Sequence, residues 1–199
     1  MKHLNPTSGF QLVYRTPTGF DDLVLVSDGE AVTGVFFEGS KDADRVVAAR
    51  PADAPARTAP LFRDLSAWLD AYFSGRDPGP PPPWRTPGLS PFALRVQRAM
   101  LGIPWGETRA YGDIAAEIAR ERGVPRVSAQ AVGQAVGSNP LCLLVPCHRV
   151  VGTGGRLVGY GGGLANKAAL LRLESRDRTP RTPDAETRVR RLRGTAGLC

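Results

Sequence analysis

The run Asp77-Pro78-Gly79-Pro80-Pro81-Pro82-Pro83 limits this chain more than any other stretch of it. Consecutive prolines lack backbone N–H groups and lock φ. The run therefore enters neither a helix interior nor an inner strand, and it favours the stiff polyproline form. It divides the 199 residues into an N-terminal domain over 1–76, a Pro-rich linker over 77–89, a second domain over 90–174 and a tail over 175–199. A chain of this length accommodates one domain or two small ones.

Ahead of the prolines, residues 10–15 (FQLVYR), 22–27 (DLVLVS) and 31–37 (AVTGVFF) are β-branched and aromatic runs. Turn-like Pro17-Thr18-Gly19 and Asp28-Gly29 separate them, so they read as an antiparallel meander. Residues 61–73 place Leu61, Phe62, Leu65, Trp68, Leu69, Tyr72 and Phe73 at helical spacing, which predicts a helix covering one face of that sheet. Behind the prolines, Ser90-Pro91 is an N-cap followed by a proline at the first helical position. Further helices fit 111–121, a stretch beginning near Ser128 that runs to Gly137, and 165–174, with an apolar strand over 141–145 (LCLLV). The expected fold class is α+β: a small antiparallel sheet with a helix, then a mostly helical domain containing a helix-turn-helix. The small residues Ala129, Ala131, Gly133, Ala135 and Gly137 in the second helix of that pair suit either close approach to a ligand backbone or close packing in the core.

Charge follows the same division. Net charge is −2 over 1–89, +5 over 90–174 and +4 over 175–199, which together make the overall +7. A basic second half reads as a polyanion-binding module on a near-neutral scaffold, or as a solvated face. The tail reads as a mobile extension. With 42% apolar and 23% charged residues the composition is globular. No apolar run reaches membrane-spanning length and the first residues lack the apolar segment of a signal peptide, so the expected setting is the cytoplasm, with a monomer as the default. Three cysteines, Cys142, Cys147 and Cys199, are an odd count that fits reduced thiols better than a disulfide framework. The two histidines, His3 and His148, and the absence of a CxxC pair argue against structural zinc.

Chemistry concentrates at Pro146-Cys147-His148-Arg149-Val150. A thiol delivered beside an imidazole and a guanidinium has the surroundings that raise its thiolate fraction. Neighbouring residues on an extended chain point to opposite sides, so Cys147 and His148 need a bend or a bridging water to cooperate. Taken alone, such a dipeptide is a structural accident more often than a catalytic pair. Cys142, five residues earlier, reads as a buried apolar filler rather than a redox partner.

Phe92 to Glu174 carries Ile103-Pro104-Trp105-Gly106-Glu107-Thr108, Tyr111-Gly112-Asp113-Ile114-Ala115, Ala131-Val132-Gly133, Asn139-Pro140, Pro146-Cys147-His148-Arg149-Val150 and Gly159-Tyr160-Gly161-Gly162-Gly163, in that order. This segment resembles the O6-alkylguanine-DNA alkyltransferase family; the N-terminal half is similar only in layout. The resemblance implies direct, single-turnover repair of double-stranded DNA containing O6-alkylguanine, with the alkyl group ending as a thioether on Cys147 and no cofactor or metal. It implies that Glu174 orients His148, which takes the Cys147 proton through a water, and that Asn139 ties the turn to the active-site segment. Tyr160 and the Gly161 backbone would meet the guanine O6, and the carbonyls of Cys147 and Val150 its amino group. Tyr111 would press on the target's 3′ phosphate, helping to rotate the base out of the stack. Ala129, Gln130, Ala131, Ala135 and Gly137, with Arg126 and Arg149 nearby, would meet the DNA, the second helix lying in the minor groove.

Three positions depart from the pattern. Gln130 stands where the family generally has an arginine that fills the hole left by the flipped base, and Arg126 is a candidate substitute. Ala110 replaces a serine and Gln97 a tryptophan, neither of which removes chemistry. A lesion recogniser of the alkyltransferase-like type commonly has tryptophan in place of the cysteine, so Cys147 argues against that alternative. A thiol hydrolase or redox protein using Cys142 and Cys147 would leave Tyr111, Asn139 and the helix pair unexplained.

Overall fold

The computed structural model describes residues 10–48 and 60–175. His3, Cys199 and the basic tail beyond Ser175 lie outside them. Strands β1 (Phe10–Tyr14), β2 (Leu23–Ser27) and β3 (Val32–Phe37) form an antiparallel sheet in the order β1-β2-β3. Alternation along β2 and β3, interrupted by a register shift where Val26 faces Gly34 and Ser27 faces Val32, leaves Leu23, Leu25, Val32, Val35 and Phe37 on one face. There they meet Phe62, Leu65, Leu69 and Tyr72 of α2 (Pro60–Phe73). The opposite face, Val24 and Phe36, is covered by Ala43 and Val46 of α1 (Lys41–Ala48). This short helix has no counterpart in the sequence reading: its brief apolar spacing is too weak a signal beside the four charged residues Lys41, Asp42, Asp44 and Arg45.

The Pro-rich connection runs along the free edge of β3. Val32 donates to the carbonyl of Pro83 (2.9 Å) and accepts from Arg85 N–H (3.0 Å). Further along the same edge, Val35 donates to Pro140 O (2.8 Å) and accepts from Cys142 N–H (3.0 Å). Proline has no N–H to give but keeps its carbonyl, so each proline serves here as the acceptor. Two segments of the second half thus close the sheet edge that β3 would otherwise leave open. Trp68 Nε1 pins the connection to α2 through Gly79 O (3.0 Å).

The second half is built from α3 (Pro91–Leu101), α4 (Tyr111–Glu121), α5 (Ala129–Gly137) and α6 (Leu164–Ser175), with a two-stranded parallel pair of β4 (Arg109–Ala110) and β5 (Val150–Val151). Ser90 Oγ accepts from Ala93 N (3.2 Å) with Pro91 at the first turn, so the cap read from the sequence is in use, and Ser128 Oγ likewise accepts from Gln130 N (3.2 Å). Val96, Met100, Ile114, Ile118, Val132 and Val136 join the cluster that holds β2, β3 and α2, so one apolar core extends across both sides of the prolines.

The strand expected over 141–145 does not form. Only Leu141 pairs, with Val35; Leu143 takes a left-handed conformation (φ 71°) and Val145 N–H returns to Leu141 O (2.9 Å). The run is apolar because the turn itself is buried, and periodicity does not separate a buried turn from a buried strand. Its polar backbone is satisfied by a side chain, Asn139.

Candidate active site

The buried turn leads into a single 3₁₀ turn, Cys147–Arg149, that supplies the bend an extended Cys-His pair lacks. Asn139 holds the turn together. Its Nδ2 lies 3.2 Å from each of Leu141 O, Val145 O and Cys147 Sγ, and its Oδ1 accepts from Leu141 N (3.2 Å). Cys147 is 4% exposed and faces a cavity of about 690 Å³.

His148 points the other way, into a fully buried polar knot. Glu174, in the last turn of α6, accepts at Oε1 from Tyr72 Oη (2.6 Å), His148 Nε2 (2.8 Å) and Arg149 Nη2 (2.9 Å). Its Oε2 accepts from Arg149 Nε (2.8 Å) and Gly106 N (3.3 Å). Burial pushes this carboxyl up, but the hydrogen bonds and charges of His148 and Arg149 outweigh it and bring the pKa down to about 2. Burial likewise dominates at His148 and holds the imidazole below its ordinary value, against the pull of Glu174. The ring is therefore neutral near pH 7. With Nε2–H donated to the carboxylate, the lone pair sits on Nδ1, which has no hydrogen-bond partner among the described residues.

At Cys147 the Cys142 thiol acts as hydrogen-bond donor and outweighs burial; together with Asn139 and the Lys167 ammonium it draws the Cys147 pKa below the ordinary thiol value of 9.0. The same exchange, added to burial, pushes Cys142 well above it. Labelling by iodoacetamide, followed by site-mapped mass spectrometry between about pH 6 and 10, is expected to modify Cys147 with a midpoint below that of a free thiol. Cys142 should stay unmodified until well past it. Preferential labelling of Cys142 would reverse the assignment of nucleophile.

Tyr111, Ala129, Gln130, Gly137, Asn139, Cys147, Tyr160 and Gly161 all line the cavity. On α5 the lining positions are Ala129, Gln130, Gly133, Gln134, Val136 and Gly137, of which Gln130, Gly133, Gln134 and Gly137 form one helical stripe. Ala131 and Ala135 do not line the cavity, and Ala135 packs at the edge of the core. The Tyr160 hydroxyl is buried without a partner among the described residues, and burial raises its pKa well above 10.0, keeping it a donor. Tyr111 Oη lies 3.4 Å from the carbonyls of Val158 and Gly159.

Three expected site residues stand elsewhere. Arg149 faces away from the cavity: its guanidinium is committed to Glu174 and to Ile103 O (2.7 Å) and lies over the Trp105 ring, so it braces the knot instead of meeting a phosphate. Val150 is buried behind the cavity, where its carbonyl accepts from Lys167 Nζ (2.7 Å). Arg126 is exposed on the α4–α5 turn and does not line the cavity.

Sequence reasoning missed Lys167, Tyr72 and Arg156. Lys167 is 0% exposed, and its ammonium also donates to the carbonyls of Val158 (3.0 Å) and Gly159 (3.3 Å), tying the glycine-rich loop to Val150. Nothing in a helix pattern distinguishes such a lysine from a surface one. Tyr72 belongs to an apolar stripe and reads as core. Arg156 is an exposed guanidinium at the cavity rim without an ion-pair partner among the described residues. Close packing delivers the loop: a Cβ on Gly162 would fall 2.3 Å from the Phe37 ring, so only glycine lets β3 and Tyr160 meet there.

No helix among the described residues is long and apolar enough to cross a membrane. Residues 91–176 match the family model of the 6-O-methylguanine DNA methyltransferase DNA binding domain. A methylated-DNA–protein-cysteine methyltransferase of Mycobacterium leprae is 46% identical over 57% of the chain and 65% of its own length. The chain spans between 47% and 65% of such mycobacterial relatives. The crystal structure of the Mycobacterium tuberculosis OGT in complex with DNA superposes with a TM-score of 0.66 at 36% identity, covering 82% of the chain and 91% of that protein. A methylated-DNA–protein-cysteine methyltransferase of Methanosarcina acetivorans is 36% identical over 83% of the chain and 97% of its own length, and on that extent of similarity the chain belongs to the methylated-DNA–protein-cysteine methyltransferase family.

Proposed function

We propose that the protein repairs O6-alkylguanine in double-stranded DNA by transferring the alkyl group irreversibly to Cys147, each molecule acting once, in the cytoplasm. One observation carries the reading: a thiol of depressed pKa opens onto a base-sized cavity, with the lone pair of a neutral imidazole on the adjacent residue. In the reaction the sulfur attacks the alkyl carbon and an S–C bond forms as the C–O6 bond breaks. The bonding electron pair stays on the base, which returns to guanine. The thiol proton goes to His148 Nδ1 through a water and, in net balance, ends on the guanine ring where the alkyl substitution had displaced it. The unpartnered Tyr160 hydroxyl is the donor for O6 as charge develops there.

A buried thiol meets an alkylated base only if the nucleotide leaves the stack, at a cost of a few kcal/mol. Helices α4 and α5 with their connecting turn act as the helix-turn-helix that offsets it, the Gln130–Gly137 stripe facing the minor groove. Arginine at 130 would add cationic stacking, so Gln130→Arg should tighten binding of an alkylated duplex by about 1 to 3 kcal/mol in a fluorescence titration. Unchanged or weaker binding would mean that Gln130 does not face the vacated base pair.

The deciding experiment is intact-protein mass spectrometry after mixing with a duplex carrying one O6-methylguanine. A gain of one methylene's mass, mapped to Cys147, is expected. Unchanged mass despite lesion-selective binding would instead favour a non-catalytic recogniser.

A further inference from the structure

Tyr72 comes from α2, in the half of the chain that carries none of the alkyltransferase motifs, yet it is 1% exposed and touches both members of the buried acid–imidazole pair. Its hydroxyl donates to Glu174 Oε1 at 2.6 Å and lies 3.2 Å from His148 Nε2. A hydroxyl has one hydrogen. With that hydrogen on the carboxylate, only lone pairs remain to face the imidazole, and Glu174 likewise offers only lone pairs. Both neighbours of Nε2 are then acceptors, so Nε2 must carry the ring's proton and Nδ1 must not. The tyrosine ring packs against Trp68, stacked at 5.6 Å, and the edge of Trp105 at 5.0 Å.

We propose that Tyr72 is a positioning residue for alkyl transfer: by closing a triangle of hydrogen bonds with Glu174 and His148 it holds the imidazole in its Nε2–H form, leaving Nδ1 to receive the thiol proton. The proposal rests on the alkyl-transfer reading above and extends it to the N-terminal half, which then supplies part of the proton-accepting machinery. Arg149 grips both oxygens of Glu174 but makes no hydrogen bond to the imidazole, so it orients the carboxylate alone. The charged and titratable groups that bear on His148 are Glu174 and Lys167 from α6, Arg149 from its own turn and Cys147 beside it, with Tyr72 facing it from α2.

The test is Tyr72→Phe in the full chain, which keeps the ring and removes only the hydroxyl. Three readouts are used: single-turnover methyl transfer across pH, duplex affinity, and imidazole ¹⁵N spectra, where His148 is one of two histidines. Expected are a rate constant about tenfold lower, the scale of a lost hydrogen bond to a charged group, with unchanged duplex affinity. Without the tyrosine's hydrogen on it, Glu174 stabilises the imidazolium more, so the acidic limb of the rate profile should move to higher pH. The His148 spectrum should change from one tautomer to a mixture. Trp68→Phe, which disturbs the packing around Tyr72 and keeps the hydroxyl, should retain the wild-type limb and tautomer. A Tyr72→Phe protein with wild-type tautomer and limb, however much stability it has lost, would overturn the proposal and leave Tyr72 as packing. Were the wild type itself to transfer no methyl group, the alkyl-transfer reading would fall, and the tautomer measurement would still decide the role of Tyr72.

Discussion

Cys147→Ser should abolish methyl transfer, with a rate lower by on the order of 10⁶-fold, while lesion binding persists within a few-fold of wild type. The size follows from the nucleophile. Hydrogen bonding from Cys142 and Asn139 and the Lys167 charge lower the pKa of the thiol below its ordinary value of 9.0. A serine hydroxyl at the same place ionises many units higher, and no base within reach is strong enough to make up the difference. Binding survives because the groups expected to grip the base, Tyr111, Tyr160 and the α5 stripe, are untouched and serine fits the space. Mass spectrometry of the variant mixed with an O6-methylguanine duplex checks the first half, and a titration with the same duplex the second. A methyl adduct in the variant would place the acceptor elsewhere, with Cys142 the first candidate.

Glu174→Ala should lower stability by about 3 to 5 kcal/mol, the usual cost of removing one partner of a buried ion pair. For a protein of this size that is a fall of roughly 6 to 20 °C in the melting temperature. Removing the carboxylate strands the Arg149 guanidinium, the Tyr72 hydroxyl and the His148 Nε2–H in an apolar interior. Transfer should also fail, because the imidazole loses the acceptor that sets its tautomer. Protonation does the same thing reversibly. Glu174 has its pKa depressed to about 2 from 4.5, so the folded state favours the charged carboxylate. That contribution is complete above about pH 4.5 and is lost as pH falls toward 2. His148 is depressed from 6.5 by burial, so the folded state favours the neutral ring and stability begins to fall once pH drops below 6.5. Wild-type unfolding followed by circular dichroism should therefore show stability declining from about pH 6.5 downward, more steeply below 4.5. The lower phase should be shallower in the alanine variant, Asp22 and Asp28 accounting for what remains; an identical acid profile in both proteins would remove Glu174 as the cause.

The pattern of the chain was sufficient for the meander, for α2 to α6 and for their caps, because each rests on spacing within a dozen residues and on side chains that bond their own backbone. Asn139, Cys147, Tyr111 and Tyr160 were legible as a group through motifs that the family keeps in order, and all four line one cavity. Local pattern failed where burial is decided by distant partners. Leu141 to Val145 reads as a strand, but β3 takes only its first residue and Asn139 folds the rest into a turn. Arg149 reads as a DNA contact and Lys167 stands out in no way, yet Glu174 and three backbone carbonyls draw them inside. Tyr72 reads as core, and its ring is core; only the approach of α6 to α2 turns its hydroxyl toward Glu174. The sequence by itself determined the meander, the helices α2 to α6 and the motif order that singles out Cys147 as the candidate nucleophile, since those depend on residue type and short-range spacing. Which ionisable groups face the cavity and which brace the acid behind it was decided by the tertiary structure alone, because an interior charge is stable only where partners from remote segments converge on it.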